Sequence, residues 1–202
     1  KNIIIVYNSG FKKCEKKYFN KRIDISVEDL TYTYMYIFND SKRYNRILIL
    51  EDDFFLIKEN LKIKNKKNIN NFLINNNPNI YYLGCVPYSI NPLTLFSYNL
   101  NVMLDATTHS VIFNRKIRNR ILNLYIKKKL KIFDIDLLTC FKIKNKYTYY
   151  KPIYIQYFEE TENKQNWGYG IENNSISLFI NKFIIKYIFD PILRKLNINN
   201  NI

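Results

Sequence analysis

The most informative segment of this 202-residue chain reads Ile47-Leu48-Ile49-Leu50-Glu51-Asp52-Asp53. Its first four residues are apolar without interruption, which is typical of a strand that is buried on both faces of a sheet. Three acidic residues follow directly and place carboxylates at the carboxyl end of that strand, where open α/β sheets bind ligands. Adjacent carboxylates repel one another unless a cation offsets their charge, and oxygen ligands suit Mg²⁺ or Mn²⁺. We therefore expect Glu51 and Asp53 to face a cation or ligand together while Asp52 turns away or contacts a sugar; the alternative is a solvated acidic turn or a helix N-cap.

Segments with strand and helix patterns alternate along the rest of the chain. Apolar runs predict strands at residues 3–7, 80–83, 107–113 and 147–158, the last interrupted by Pro152. Helical spacing predicts helices at residues 26–38, 115–130, 134–141 and 175–196, and a short helix within the polar segment 58–79. Residues 87–105 show little periodicity and are predicted to form a loop. The alternation favours a single α/β domain over residues 1–202, with a mixed, mostly parallel sheet flanked by helices and a C-terminal helix and frayed tail over 175–202.

Composition limits the compartment and the class of partner. The 32 Lys and Arg residues exceed the 17 Asp and Glu residues by 15, but the chain is rich in residues with A- and T-rich codons, so its net charge is weak support for a polyanion partner. Cys14, Cys85 and Cys140 lie far apart without a CxxC pair, which argues against a disulfide framework or a structural zinc site. The longest apolar stretch, residues 176–193, is interrupted by charges and Pro191, and no secretory signal is visible. We expect a cytoplasmic protein that at most contacts a membrane surface.

Five segments, over about residues 45–158, resemble glycosyltransferases with the GT-A fold, and most closely the family 25 group of lipopolysaccharide and collagen galactosyltransferases. In the family's order these segments are Ile47-Leu48-Ile49-Leu50-Glu51-Asp52-Asp53-Phe54, Tyr81-Tyr82-Leu83-Gly84, Thr108-His109-Ser110-Val111-Ile112, Asp134-Ile135-Asp136-Leu137-Leu138 and Pro152-Ile153-Tyr154-Ile155-Gln156. The family's usual opening strand and turn are replaced by Val6-Tyr7-Asn8-Ser9-Gly10. The segment 160–167 is similar to virus-encoded, divergent glycosyltransferase-like proteins, which implies an infected host cell as the setting.

The resemblance implies a GT-A enzyme that moves a hexose from a nucleotide sugar, which we expect to be UDP-linked, to a hydroxyl of a glycan, protein or lipid. Mn²⁺ or Mg²⁺ would be its cofactor, held by Glu51 and Asp53, and Asp52 would contact the sugar. Loss of the acceptor proton needs a nearby base. Asp136, with Asp134 as its substitute, is the candidate because the two form the only acidic pair between Asp105 and Glu159. The alternative is that Asp134 only caps a helix.

Three further residues are candidates for binding. His109, the sole histidine, is either a third metal ligand or a diphosphate contact, or else a structural residue. Gln156 either binds the acceptor or makes an ordinary strand-edge hydrogen bond. Trp167, the sole tryptophan, is either a stacking platform for a sugar or a packing residue.

A basic helix leaves two other classes of function open. A run without acids contains Arg115, Lys116, Arg118, Arg120, Lys127, Lys128, Lys129 and Lys131. Such a run is usually solvated surface, although it suits nucleic acid or an anionic membrane. Nucleic acid is the less favoured partner, because no RRM, KH or helix-turn-helix signature is present. The remaining alternative is a GT-A-like domain that binds ligands without turnover.

Overall fold

The computed structural model describes residues 3–10, 12, 15–18, 21–23, 26–52, 54–85, 87–105, 108–127 and 143–156. These residues form three α-helices: α1 (Ser26–Asp40), α2 (Ile63–Asn76) and α3 (Arg115–Ile126). The predicted start of α1 is confirmed, and α3 begins where its basic run begins. The helix within the polar segment 58–79 is longer than the sequence predicts, since it contains 14 residues.

The main sheet contains six of the described strands: β3 (Arg46–Leu50), β5 (Ile80–Tyr82), β6 (Pro87–Ile90), β7 (Asn99–Asp105), β8 (Ser110–Asn114) and β9 (Lys146–Tyr149). Their order across the sheet is β3-β8-β5-β9-β7-β6. Four short strands form two separate antiparallel pairs: β1 (Lys17–Tyr18) with β2 (Lys21–Arg22), and β4 (Phe54–Leu56) with β10 (Tyr154–Gln156). The predicted aromatic strand 147–158 is thus two strands, β9 and β10, separated at Pro152.

The described sheet is mixed, but parallel pairing does not predominate in it. Only β5 and β9 pair in parallel among these six strands, and the other four pairings are antiparallel. The prediction of an α/β fold with a mixed sheet is confirmed, and the prediction of a mostly parallel sheet was wrong. The pairings give β3, β5, β6 and β9 one direction, but the reversed strands β7 and β8 lie between them. The alternation of strands and helices in the sequence predicts that strands joined by helices run in the same direction. It does not predict that strands of the opposite direction are inserted between them in the sheet.

Two apolar clusters lie on the two faces of this sheet. On one face, α1 and α3 contribute Tyr34, Phe38 and Ile117 to a cluster that includes Tyr82. On the other face, α2 packs on a cluster that includes Tyr81. Successive side chains of a strand point to opposite faces, so β5 is buried on both sides. This burial explains its continuous apolar run, and a three-layer α/β/α arrangement follows.

The strand predicted for residues 3–7 does not form. These residues have no regular secondary structure, and the exposed fraction of Ile3 is 92% and that of Ile5 is 71%. A strand needs a hydrogen-bonded partner, and no described strand pairs with this segment. The apolar run therefore predicted burial that the fold does not provide.

The loop predicted for residues 87–105 is also wrong, because β6 and β7 lie there as an antiparallel pair. Pro87 is the first residue of β6, at the edge of the described sheet, where a strand tolerates proline. Register shifts on both sides of Ser89 interrupt the pairing, and β7 alternates burial irregularly. Because burial does not alternate regularly along these strands, the sequence lacks the alternation of apolar and polar residues that predicts a strand.

In the described part of the chain, no helix has the length and apolar character needed to cross a bilayer. The predicted helices at 134–141 and 175–196 lie outside the described residues.

Candidate functional site

The acidic turn is attached to the strand beside it by backbone pairing. β3 ends at Leu50, which pairs with Ser110, the first residue of β8. One residue further, the Glu51 N–H donates to the carbonyl oxygen of His109 at 3.0 Å. The structure therefore brings two sequence-predicted site residues, Glu51 and His109, to the same end of the sheet.

The carboxylate of Glu51 is held by two neutral hydroxyl groups. The Tyr34 hydroxyl donates to Oε1 at 2.7 Å, and the Thr108 hydroxyl donates to the same oxygen at 2.8 Å. Tyr34 and Thr108 are almost fully buried, whereas Glu51 is half-buried. Hydroxyl donors orient a carboxylate without cancelling its charge. These two hydroxyls hold the Glu51 carboxylate in a defined orientation at the carboxyl end of β3.

Asp52 is the next residue, and its side chain is exposed on the turn that leads into β4. Among the described residues, none forms a hydrogen bond or an ion pair with its side chain. Asp53 lies outside the described residues. An exposed carboxylate beside a fixed one can bind a cation or a sugar hydroxyl with little reorganisation of the protein.

His109 is buried, with an exposed fraction of 2%. Neither imidazole nitrogen makes a hydrogen bond of good geometry within the described structure. Burial lowers the pKa of His109 to about 4, although the backbone of Tyr154 partly offsets this change. The imidazole is therefore neutral at physiological pH.

Gly84 makes the close packing around His109 possible. A Cβ at this position would clash with the backbone carbonyl of Tyr154 and would lie 3.3 Å from His109 Nε2. The backbone of β10 therefore approaches the end of β5 closely, and the Ile153 N–H donates to the Leu83 carbonyl oxygen at 2.5 Å. This explains the glycine of the Tyr-Leu-Gly segment in terms of packing.

Glu51 and His109 are neighbours through their backbones, but their side chains have different surroundings. The Glu51 carboxylate contacts Tyr34, which belongs to the cluster beneath α1 and α3. The His109 ring lies beside Gly84 and Tyr154, and Tyr154 packs on the other cluster. The described residues contain no group of three His, Cys, Asp or Glu side chains able to hold a metal ion. Of the proposed metal ligands that the structure describes, Glu51 is half-buried at the end of β3, whereas the His109 ring is enclosed.

The remaining candidates are placed only in part. Gln156 pairs with Phe54 at the end of β10, so its backbone lies beside the segment that follows the acidic turn. Its side chain is not described. Asp134, Asp136 and Trp167 lie outside the described residues.

Sequence reasoning missed the residues that support the site. Tyr34 and Thr108 are 17 and 57 positions from Glu51, and nothing local in the sequence connects them to it. The only available signal was a polar hydroxyl at an otherwise apolar position, Tyr34 on the buried face of α1. A second buried polar group, the ion pair of Asp105 and Lys146, was also missed, because Asp105 was assigned to a loop.

No protein-family model, no curated protein and no solved structure matches this chain.

Proposed function

We propose that this chain is a metal-dependent glycosyltransferase of the GT-A type, which transfers a hexose from a UDP-linked sugar to a hydroxyl acceptor. The observation that carries the proposal is the pair formed by Glu51 and Asp52. One carboxylate is held by two buried hydroxyls and the next is exposed, directly after strand β3. The order of the sequence segments that resemble family 25 supports the same assignment.

The chemistry of these donors fits one mode of cation binding. Mg²⁺ and related ions are commonly held by one or two carboxylates together with the phosphates of a substrate, and not by a complete protein cage. Glu51 supplies a fixed oxygen ligand, and Asp53 is the second proposed ligand. A bound divalent cation supplies stabilisation of the negative charge that develops on the departing diphosphate. Because the described residues form no complete cage, we expect cation and nucleotide to bind together more tightly than either alone.

The other residues have separate proposed roles. Tyr34 and Thr108 orient Glu51, and Asp52 accepts a hydrogen bond from a sugar hydroxyl. Asp136, or Asp134 in its place, removes the acceptor proton, while Gln156 and Trp167 contact the acceptor. We assign the neutral ring of His109 a packing role against Gly84, in preference to metal ligation.

A melting experiment tests the binding step. Mn²⁺ and UDP added together are expected to raise the thermal midpoint by about 5 °C or more at saturation, since a ligand at about 100 times its Kd stabilises by about 2.7 kcal/mol. Glu51→Gln and Asp53→Ala should each remove most of that increase. Asp40→Asn is the matched control, because Asp40 is an exposed acid at the end of α1, before the start of β3. Equal shifts in all four proteins, or no shift in the parent protein, would overturn the proposal.

A turnover measurement separates the enzyme from an inactive binding domain. The purified chain with Mn²⁺ is incubated with UDP-hexoses, and release of UDP is measured with and without simple hydroxyl acceptors. An active transferase releases UDP, and Asp136→Asn slows the release. Nucleotide binding without release from any donor would instead favour a domain that binds without catalysis.

A further inference from the structure

Helix α3 carries a row of exposed cations and amides on its outer surface. We call this row the α3 stripe, and its members are Lys116, Asn119, Arg120, Asn123 and Lys127. Together with Leu124 they line a shallow hollow of about 500 Å³. Residues three and four positions apart lie on one side of a helix, so these five side chains form a continuous strip. At about 1.5 Å per residue, the strip extends for roughly 16 Å from Lys116 to Lys127.

Within the described part of the chain, no acidic side chain pairs with the cations of the α3 stripe. Helix α3 contains no acidic residue. Lys116, Arg120 and Lys127 form no ion pair or side-chain hydrogen bond with any other residue that the structure describes. A solvated lysine is ordinary, but three cations separated by amides over one hollow give a local positive potential.

Arg118 shows that the basic run is divided between two roles. Its side chain is fully buried and donates to the carbonyl oxygens of Phe113, Ser41 and Tyr44. This arginine connects α3 to the segment after α1, so it is structural. Arg115 likewise donates to the carbonyl oxygens of Arg43 and Tyr44, so Lys116, Arg120 and Lys127 are the cations of the described part of the run that remain for a ligand.

The stripe fits a hydrophilic polyanion better than a lipid bilayer. A helix that lies in a membrane inserts an apolar side. The apolar side of α3, with Ile117, Ile121 and Leu122, is buried in the core, and Ile126 is its only exposed large apolar residue. Cations and amide donors in a hollow instead match phosphate oxygens along a chain, because most protein contacts to nucleic acid are made to the backbone.

We propose that the α3 stripe binds the phosphodiester backbone of single-stranded nucleic acid. Its length accommodates several consecutive phosphates, since one strand carries a charge every 3.4 Å or so along its axis. The cations make the ionic contacts, and the amides of Asn119 and Asn123 donate hydrogen bonds between them. The proposal does not depend on the acidic turn or on sugar transfer.

Fluorescence anisotropy with a fluorescein-labelled, 12-nucleotide single-stranded RNA tests the proposal on the full chain. Binding is expected in 50 mM salt, and three neutralised phosphates give a slope of about −2 for log K against log salt. The triple variant Lys116→Gln/Arg120→Gln/Lys127→Gln is expected to bind about tenfold more weakly or worse and to show a shallower slope. Because these side chains are exposed, its far-UV circular dichroism should match that of the parent protein.

A charge-matched variant separates the α3 stripe from the general basicity of the protein. Lys64→Gln/Lys66→Gln/Lys67→Gln removes three exposed cations from α2, which covers the opposite face of the sheet. Its RNA affinity should stay within about twofold of the parent value. Equal losses in the two triple variants, or no RNA binding in 50 mM salt, would overturn the proposal. If the protein does not bind RNA but co-sediments with vesicles rich in phosphatidylserine, and the stripe variant does not, the partner of the stripe is a membrane and the nucleic-acid proposal is wrong.

Discussion

The carboxylates at the two ends of the central sheet have different partners. Where β3 ends, Glu51 is held by the neutral hydroxyls of Tyr34 and Thr108. Where β7 ends and β9 begins, Asp105 contacts the ammonium group of Lys146 at 2.5 Å, and both side chains are 1% exposed. One carboxylate is oriented by hydroxyls beside an exposed acid, whereas the charge of the other is offset by a lysine inside the protein.

This difference separates a carboxylate that can act on a ligand from one that only stabilises the fold. A buried ion pair has no net charge to offer, and each of its members depends on the other. A carboxylate oriented by hydroxyls has already lost part of its hydration and still attracts a cation. The contrast predicts that changing Asp105 to an amide mainly lowers stability. The same change at Glu51 should mainly weaken ligand binding.

The largest effect is expected at the buried pair. Asp105→Asn leaves the Lys146 ammonium buried without its carboxylate, and such a loss typically costs about 3–5 kcal/mol. Burial raises the pKa of Asp105, and the contact with Lys146 opposes that change, so the carboxylate depends on its partner for its charge. Urea denaturation measures the loss. The double variant Asp105→Leu/Lys146→Met should be more stable than Asp105→Asn, because no unpaired charge remains. If the single variant lowers the unfolding free energy by less than about 1 kcal/mol, water reaches the ion pair at this end of the sheet.

A smaller effect is expected from the acid titration of His109. The folded-state pKa of His109 is about 4 and its ordinary value is 6.5, so the unfolded chain binds this proton more readily than the native chain. Its stabilising contribution is complete above about pH 6.5 and falls as the pH decreases towards 4, by roughly 2–3 kcal/mol.

His109→Gln isolates this contribution, because the chain has no other histidine. Between pH 7.5 and pH 4.5 the parent protein should lose about 2–3 kcal/mol more unfolding free energy than the variant. Acidic groups such as Asp105 titrate in both proteins, and their effects cancel in the difference. Parallel stability curves would mean that the ring is hydrated or has a partner in solution.

Tyr34→Phe tests whether the hydroxyls fix Glu51. It removes the donor at 2.7 Å and keeps the ring that packs against Phe38 and Phe113. Loss of a hydrogen bond to a charged group should cost about 1.5 kcal/mol of unfolding free energy and weaken the stabilisation by Mn²⁺ with UDP. Tyr36→Phe makes the same change at an exposed position of α1 and should change stability by less than about 0.5 kcal/mol. A comparable cost at both positions would show that the hydroxyl of Tyr34 does not hold Glu51.

Local patterns predicted one part of the site and not the other. The run 47–50 and the acids after it predicted β3 and the position of Glu51, because an apolar run and its end are properties of neighbouring residues. The partners of Glu51 could not be predicted in this way, since Thr108 reaches it only after β8 pairs with β3. For the same reason the buried pair stayed hidden: Asp105 and Lys146 are 41 positions apart and meet only when β7 lies against β9.

The smallest change in stability, and the sharpest contrast, is expected for Glu51→Gln. The amide oxygen can still accept from Tyr34 and Thr108, so unfolding free energy should fall by about 0.5–1 kcal/mol, far less than for the corresponding change at Asp105. The combined Mn²⁺ and UDP shift should nevertheless be lost, because the amide keeps the shape of the carboxylate and removes its charge. Measuring the unfolding free energy and the ligand-dependent thermal midpoint of both Glu51→Gln and Asp105→Asn allows the two carboxylates to be compared directly. If Glu51→Gln costs as much as Asp105→Asn and leaves the ligand shift intact, Glu51 is as structural as Asp105, and the acidic turn does not hold the cation.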